Sequence, residues 1–123
     1  MLGFSGVAVV SAPAYAARSV YFEAWNVRGR ITFSNAASYS ISATVDNPYS
    51  AGTVSVWTQG QFFWQNERHT CGGTPKRTNN IYTSTQTFNN STFCLDFNIQ
   101  QVMIVEEHTG ETSEIIYVDN PLA

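Results

Sequence analysis

With 123 residues the chain is the size of one domain. Only 12% of its residues are charged and its net charge is −3, which excludes the dense basic surface of a nucleic-acid binder. All six basic residues (Arg18, Arg28, Arg30, Arg68, Lys76 and Arg77) precede position 78, and the six acids beyond it have no basic neighbour in sequence, a lopsidedness that reads as a solvated surface.

Residues 1–16, MLGFSGVAVVSAPAYA, carry no charge and end in Ala14-Tyr15-Ala16, the small-residue pattern at which a secretory signal peptide is cut. The run is too short to span a bilayer. No basic segment precedes it, which reads as a truncated start or a misassigned initiating Met. Cleavage after Ala16 leaves one domain over 17–123, enough chain for a single core.

Val20 to Val27 reads as the first strand, with Val20, Phe22 and Ala24 on one side and Tyr21, Glu23, Trp25 and Val27 on the other. Arg28-Gly29-Arg30 reads as a turn from which Ile31-Thr32-Phe33 returns. Tyr39, Ile41, Ala43 and Val45 then alternate with Ser38, Ser40, Ser42 and Thr44, the period of a half-buried antiparallel strand. Asp46 to Gly52 supplies the turn formers that end it.

Thr53 to Cys71, TVSVWTQGQFFWQNERHTC, reads as a central β-hairpin with Gln59-Gly60 as its two loop residues. That turn sets Val56 opposite Phe63, Trp57 opposite Phe62 and Ser55 opposite Trp64. Val54, Val56 and Phe63 would then share a core face, and Trp57, Phe62 and Trp64 the other. The aromatic face has two readings: rings packed inside a strand pair covered on both sides, or an exposed binding surface.

Cys71 to Asn80 has no periodicity and reads as a loop; Ile81 to Phe88 reads as a polar edge strand. Asn89-Asn90-Ser91-Thr92 reads as a turn and contains two overlapping glycosylation sequons. Phe93, Leu95, Phe97 and Ile99 alternate into an apolar run ending at Val105, with a change of phase near Gln100-Gln101 that predicts a bulge. His108 to Glu111 is a tight turn into the last strand, Thr112 to Val118. Asp119-Asn120-Pro121 echoes Asp46-Asn47-Pro48, as two similar strand ends would.

Seven or eight short strands without helical periodicity predict an antiparallel β-sandwich, with a small β-barrel as the alternative. The two cysteines, Cys71 and Cys94, pair as a disulfide in an exported chain. Such a bridge stabilises the fold by about 3 kcal/mol and would tie the loop after the central hairpin to the C-terminal strands.

The Ala-rich leader, the Ser/Thr-alternating strand ending in Asp46, Ala51-Gly52 with Val54 and Val56, Gly72-Gly73-Thr74 and Phe93-Cys94-Leu95 together resemble small exported single-domain proteins of actinobacteria. The resemblance covers roughly residues 38–105 and implies fold and compartment. That group has no assigned activity, so the resemblance implies no chemistry.

Enzymatic motifs are missing: there is no G-x-S-x-G, no phosphate loop and no H-E-x-x-H. Glu67-x-His69-x-Cys71 loses its nucleophile to the disulfide. Glu67 and His69 with His108, or the acids Glu106, Glu107, Glu111 and Glu114, lack the spacing of a zinc or calcium site. The expectation is therefore a secreted, non-catalytic protein without cofactor or bound metal. Its partner is a protein, in an interaction or envelope-associated role, or alternatively a polysaccharide stacked on Trp57, Trp64, Phe62 and Trp25.

Overall fold

The computed structural model describes residues 16–123, so the expected signal peptide lies outside the described residues except for Ala16. Eight strands follow: β1 (Arg18–Glu23), β2 (Val27–Asn35), β3 (Ser38–Asp46), β4 (Val54–Trp64), β5 (Glu67–Asn79), β6 (Thr85–Phe93), β7 (Gln101–His108) and β8 (Glu111–Asp119). They pair antiparallel into two four-stranded sheets, β1-β2-β3-β6 and β5-β4-β7-β8. The architecture is the predicted sandwich, not a closed barrel, and no helix occurs among the described residues.

Period-2 sequence builds the core. Along β3, Tyr39, Ile41, Ala43 and Val45 are buried while the intervening Ser and Thr face outward. From the facing sheet Val54, Val56, Val102, Ile104 and Val118 meet them, with Ile31, Phe33 and Ile99 filling between. Tyr39 crosses the core and shares a 2.8 Å hydrogen bond with the Thr58 hydroxyl. Burial pushes the Tyr39 phenol up to about 12, the Thr58 bond offsetting only part of that rise.

Asparagines close the strand ends. Asn47 accepts from the Tyr49 N–H and donates to the carbonyls of Gly52 and Asn79. Asn120 does the same with the Leu122 N–H and the carbonyls of Ala36 and Ile99. The two Asp-Asn-Pro triplets are thus equivalent strand ends, each a buried Asx turn. Asn79 repeats the device at the end of β5, accepting from Ile81 and donating to Val45 and Ser84.

Several boundaries differ from the sequence reading, and two share one cause. Arg28-Gly29-Arg30 is not a turn but part of β2; the chain turns at residues 24–26. Gln59-Gly60 likewise lies inside β4, and the hairpin turns at Gln65-Asn66, whose φ angles of 53° and 64° are those of a left-handed two-residue loop. Both glycines answer to close approach instead. A Cβ on Gly29 would fall 2.0 Å from the Ser42 carbonyl oxygen, and one on Gly60 2.4 Å from that of Cys71.

The expected loop after Cys71 is strand β5, thirteen residues laid against eleven of β4. Two register shifts absorb the excess, one beside Gly72 at φ 72°, and these bulges erase the sequence periodicity. The expected turn at 89–92 is instead the middle of β6, and the expected strand from Phe93 is a loop over 94–100. Asp96, at φ 74°, interrupts the extended backbone there. The tight turn before β8 is as predicted, at Thr109-Gly110.

The disulfide joins Cys71 to Cys94, 23 positions apart. It links β5 to the residue after β6, and so ties one sheet to the other.

Candidate functional site

Pairing between β4 and β7 ends at Gln61 and Gln101. Beyond it, Phe62, Phe63 and Trp64 pair only with His69, Arg68 and Glu67, so the β4–β5 ribbon projects past its sheet as a two-stranded arm. Alternation puts Phe62, Trp64 and His69 on one side of the arm and Phe63 and Arg68 on the other.

The 94–100 loop completes the first side. Phe97 stacks on Phe62 with ring centroids 4.3 Å apart, and Phe62 stacks in turn on His69 at 5.2 Å. Trp64 meets Phe97 edge-on at 6.2 Å and remains 54% exposed, while Leu95 projects freely. Backbone hydrogen bonds from Cys94 to Ala37, Ile99 to Ala36 and Gln100 to Gln61 fix the loop in place. The Nε2 atom of His69 is buried and has no hydrogen-bond partner among the described residues, the Glu67 carboxylate standing 3.9 Å away.

On the second side the Arg68 guanidinium lies between two rings, 5.6 Å from Phe63 and 5.5 Å from Tyr117. Both rings are about half exposed, so the cation is held by π-faces in water's reach.

The four aromatic residues singled out in sequence do not converge. Phe62 and Trp64 share a side around Phe97, but Trp57 lies on the opposite side of β4 and Trp25 sits in the turn between β1 and β2. Moving the turn from Gln59-Gly60 to Gln65-Asn66 is the reason. In one continuous strand, positions 57 and 64 must face opposite ways, and Phe63 leaves the core face expected for it to stand exposed.

Trp57 is half-buried, and its indole N–H donates to Glu107 at 2.8 Å. Lys76 donates to the other oxygen of the same carboxylate. Burial works to raise the Glu107 pKa, but the Lys76 and Trp57 hydrogen bonds and the Lys76 charge outweigh it and hold the carboxyl below its ordinary 4.5. Trp57 is thus part of a fixed polar cluster, outside the hydrophobic core. Trp25 gives its backbone N–H to Glu114 at 3.1 Å and leaves its side chain 77% exposed.

Sequence reading missed Phe97, Arg68 and Tyr117, and weighed His69 only as a partner of Glu67 and Cys71 or as a metal ligand, not as a ring of this cluster. For Phe97 a signal existed: the Cys71–Cys94 pair brings the segment after Cys94 alongside the hairpin bearing His69. The two histidines stand at opposite ends of β4, His69 opposite Phe62 and His108 opposite Val54. His108 stacks instead on Tyr49 at 3.7 Å. Among the described residues no group of three His, Cys, Asp or Glu is placed to hold a metal ion. No helix among them is long and apolar enough to cross a membrane.

Compared with known proteins, the chain matches no family model, no curated protein and no solved structure. The functional reading therefore rests on the surface itself.

Proposed function

We propose that the chain is an exported, non-catalytic β-sandwich that works as a protein-interaction module, with the β4–β5 arm and the 94–100 loop as its contact surface. One observation carries this reading: the ribbon outruns its sheet and presents large side chains on both sides, Trp64 and Phe97 on one and Phe63 and Arg68 on the other. Trp, Phe and Arg in a cluster of this kind are the residues that dominate binding energy at protein interfaces. The disulfide behind the arm limits the ordering cost on binding and suits an oxidising compartment. The partner suited to this surface is a protein whose cleft is apolar and whose rim carries an acidic group for Arg68.

A polysaccharide stacked on Trp57 and Trp64 together is less favoured, because one flat ligand cannot reach both sides of β4. The test begins with immobilised oxidised protein exposed to the secreted and envelope proteins of the producing cells. A retained protein is then titrated against the Trp64→Ala/Phe97→Ala variant. The expected result is affinity weaker by at least about tenfold in a variant that stays folded, its melting temperature lowered only by the lost Phe97–Phe62 stacking. Equal affinity of variant and parent for every retained protein would refute the arm as the contact surface.

A further inference from the structure

The outer face of the sheet β1-β2-β3-β6 differs in chemistry from the arm. Side chains alternate along each strand, so the residues opposite core positions form rows across the sheet. The central row is Tyr21, Arg30, Ser42 and Asn89, each the register partner of the next. It crosses all four strands, about 14 Å at the usual strand spacing.

This face carries a run of shallow, open depressions. One depression of about 540 Å³ lies over Tyr21, Glu23, Arg30 and Ser42, and a second of about 300 Å³ continues it over Ser40, Asn89 and Ser91. The two share Arg30 and Ser42. A third, of about 400 Å³, carries the trough on past Ser91 to Phe93. Exposed rings bracket it, Tyr21 on edge strand β1 and Phe93 at the end of edge strand β6.

Its hydrogen-bonding capacity is unevenly used. In the flanking rows Ser19 bonds Thr32 and Thr44 bonds Thr87. The side chains of the central row make no hydrogen bond to any described residue, although the row holds a guanidinium, a hydroxyl, an amide and a phenol. Arg28 is neutralised by Asp46, and Glu23 stands near Arg30, so the trough is close to electrically neutral. A polyanion gains little there, since nucleic-acid affinity depends on many uncompensated cations.

We infer that this trough binds a neutral glycan chain laid across the strands, its sugar faces against Tyr21 and Phe93 and its hydroxyls on Arg30, Ser42 and Asn89. The ligand chemistry follows from the trough: an exposed ring at each end, Tyr21 on the central row and Phe93 four residues beyond Asn89 along β6, for the C–H faces of pyranoses, and the planar groups of Arg30 and Asn89 between them for paired hydroxyls. The site is on the sheet opposite the arm and shares no residue with it, so either can fail without the other.

Calorimetric titration of the oxidised protein tests this with four probes: hexasaccharides of β-1,4-linked glucose and of β-1,4-linked N-acetylglucosamine, a galacturonate hexamer, and oligo(dT). At least one neutral hexasaccharide is expected to bind with a Kd of about 1 mM or tighter. Tyr21→Ala, Arg30→Ala and Asn89→Ala should each weaken it by about tenfold, the effect of one hydrogen-bonding or stacking group, while Tyr82→Ala on the distant 80–84 turn should not. Tyr21, Arg30, Asn89 and Tyr82 are all exposed, and thermal melts of the variants should overlay that of the parent. Binding by neither neutral hexasaccharide overturns the inference. So does binding confined to galacturonate or oligo(dT), or neutral binding indifferent to the three row variants.

Discussion

The two ends of β4 are secured by different means. At its Val54 end the sheets are joined by buried polar groups. Glu106 accepts from the Asn26 N–H at 2.9 Å, from the Asn26 amide at 3.2 Å and from Ser113 at 3.1 Å, and so holds the β1–β2 turn of the opposite sheet. Asn47 and Asn79 join the neighbouring strand ends with their own side chains. At its Trp64 end a covalent bond and three backbone hydrogen bonds of the 94–100 loop do that work, with the Asn120 side chain donating to Ala36 and Ile99, and the rings stay outside. A polar end needs every partner in place and so leaves nothing over for a ligand. A covalently tied end can leave large side chains uncommitted.

The sharpest way to break this contrast is at the disulfide. Cys71→Ser/Cys94→Ser should lower unfolding free energy by about 3 kcal/mol, read from the midpoint of a urea titration. The same variant should free Phe97 from Phe62, so the near-ultraviolet circular dichroism of the aromatic cluster should weaken even where the sandwich stays folded. A variant as stable as the parent would mean that the arm end is held by packing instead.

The polar end should give next. In Asn47→Ala the buried Asn79 carbonyl, the half-buried Gly52 carbonyl and the Tyr49 N–H lose their partner, and unsatisfied groups of this kind cost about 2 kcal/mol in total. Asn47→Asp should do nearly as badly, because a carboxylate cannot donate to the carbonyls of Gly52 and Asn79. A loss below about 0.5 kcal/mol, the usual range of a surface substitution, would show that water replaces the side chain.

These residues also show what the sequence carried. Asp46-Asn47-Pro48 and Asp119-Asn120-Pro121 repeat because two strand ends use one Asx turn, and that equivalence could be read directly. The Ser/Thr alternation of β3 announced a half-buried strand for the same local reason. Gly29 and Gly60 misled because glycine serves both turns and close backbone approach, and only the strand lying alongside decides between them. β5 was illegible because its bulges break the period on which reading a strand depends. The arm went unseen through the same misplaced turn: with Gln59-Gly60 as the loop, Phe62 to Trp64 return into the sheet instead of leaving it.

Acid should sharpen the comparison with a smaller effect. The Thr85 and Arg28 hydrogen bonds, with the Arg28 charge, hold the Asp46 carboxyl below its ordinary 3.8 despite some opposing desolvation. Glu107 is likewise depressed. A depressed folded pKa means that the unfolded chain binds protons first as pH falls. The stabilisation is complete above the ordinary carboxylate range and is lost as pH drops through the folded values. Melting temperature should therefore be flat near neutrality and fall below about pH 4. Glu107→Gln should flatten that fall more than Asp46→Asn, since the Asp46–Arg28 pair is partly exposed and screened. A melting temperature indifferent to acid in the parent would remove both pairs from the stability of the fold.

The smallest expected effect separates the two tryptophans of β4. Trp57 is half-buried beside Val105 and donates to a carboxylate that Lys76 also holds, so Trp57→Ala removes packing and leaves Glu107 one donor short. A cost of about 1–2 kcal/mol is expected, below that of a fully packed core aromatic because Trp57 lies outside the core cluster. Trp57→Phe should recover the packing but not the hydrogen bond, and fall between. Trp64 touches Phe97 by an edge and is more than half exposed, so Trp64→Ala should stay within about 0.5 kcal/mol of the parent. Urea melts of the three variants decide the matter. If Trp64→Ala proves as costly as Trp57→Ala, the arm is a packed extension of the fold and its rings are not held in reserve for a partner. If both variants are neutral, Trp57 is as available as Trp64, and the side of β4 bearing Glu107 and Lys76 becomes a second contact surface.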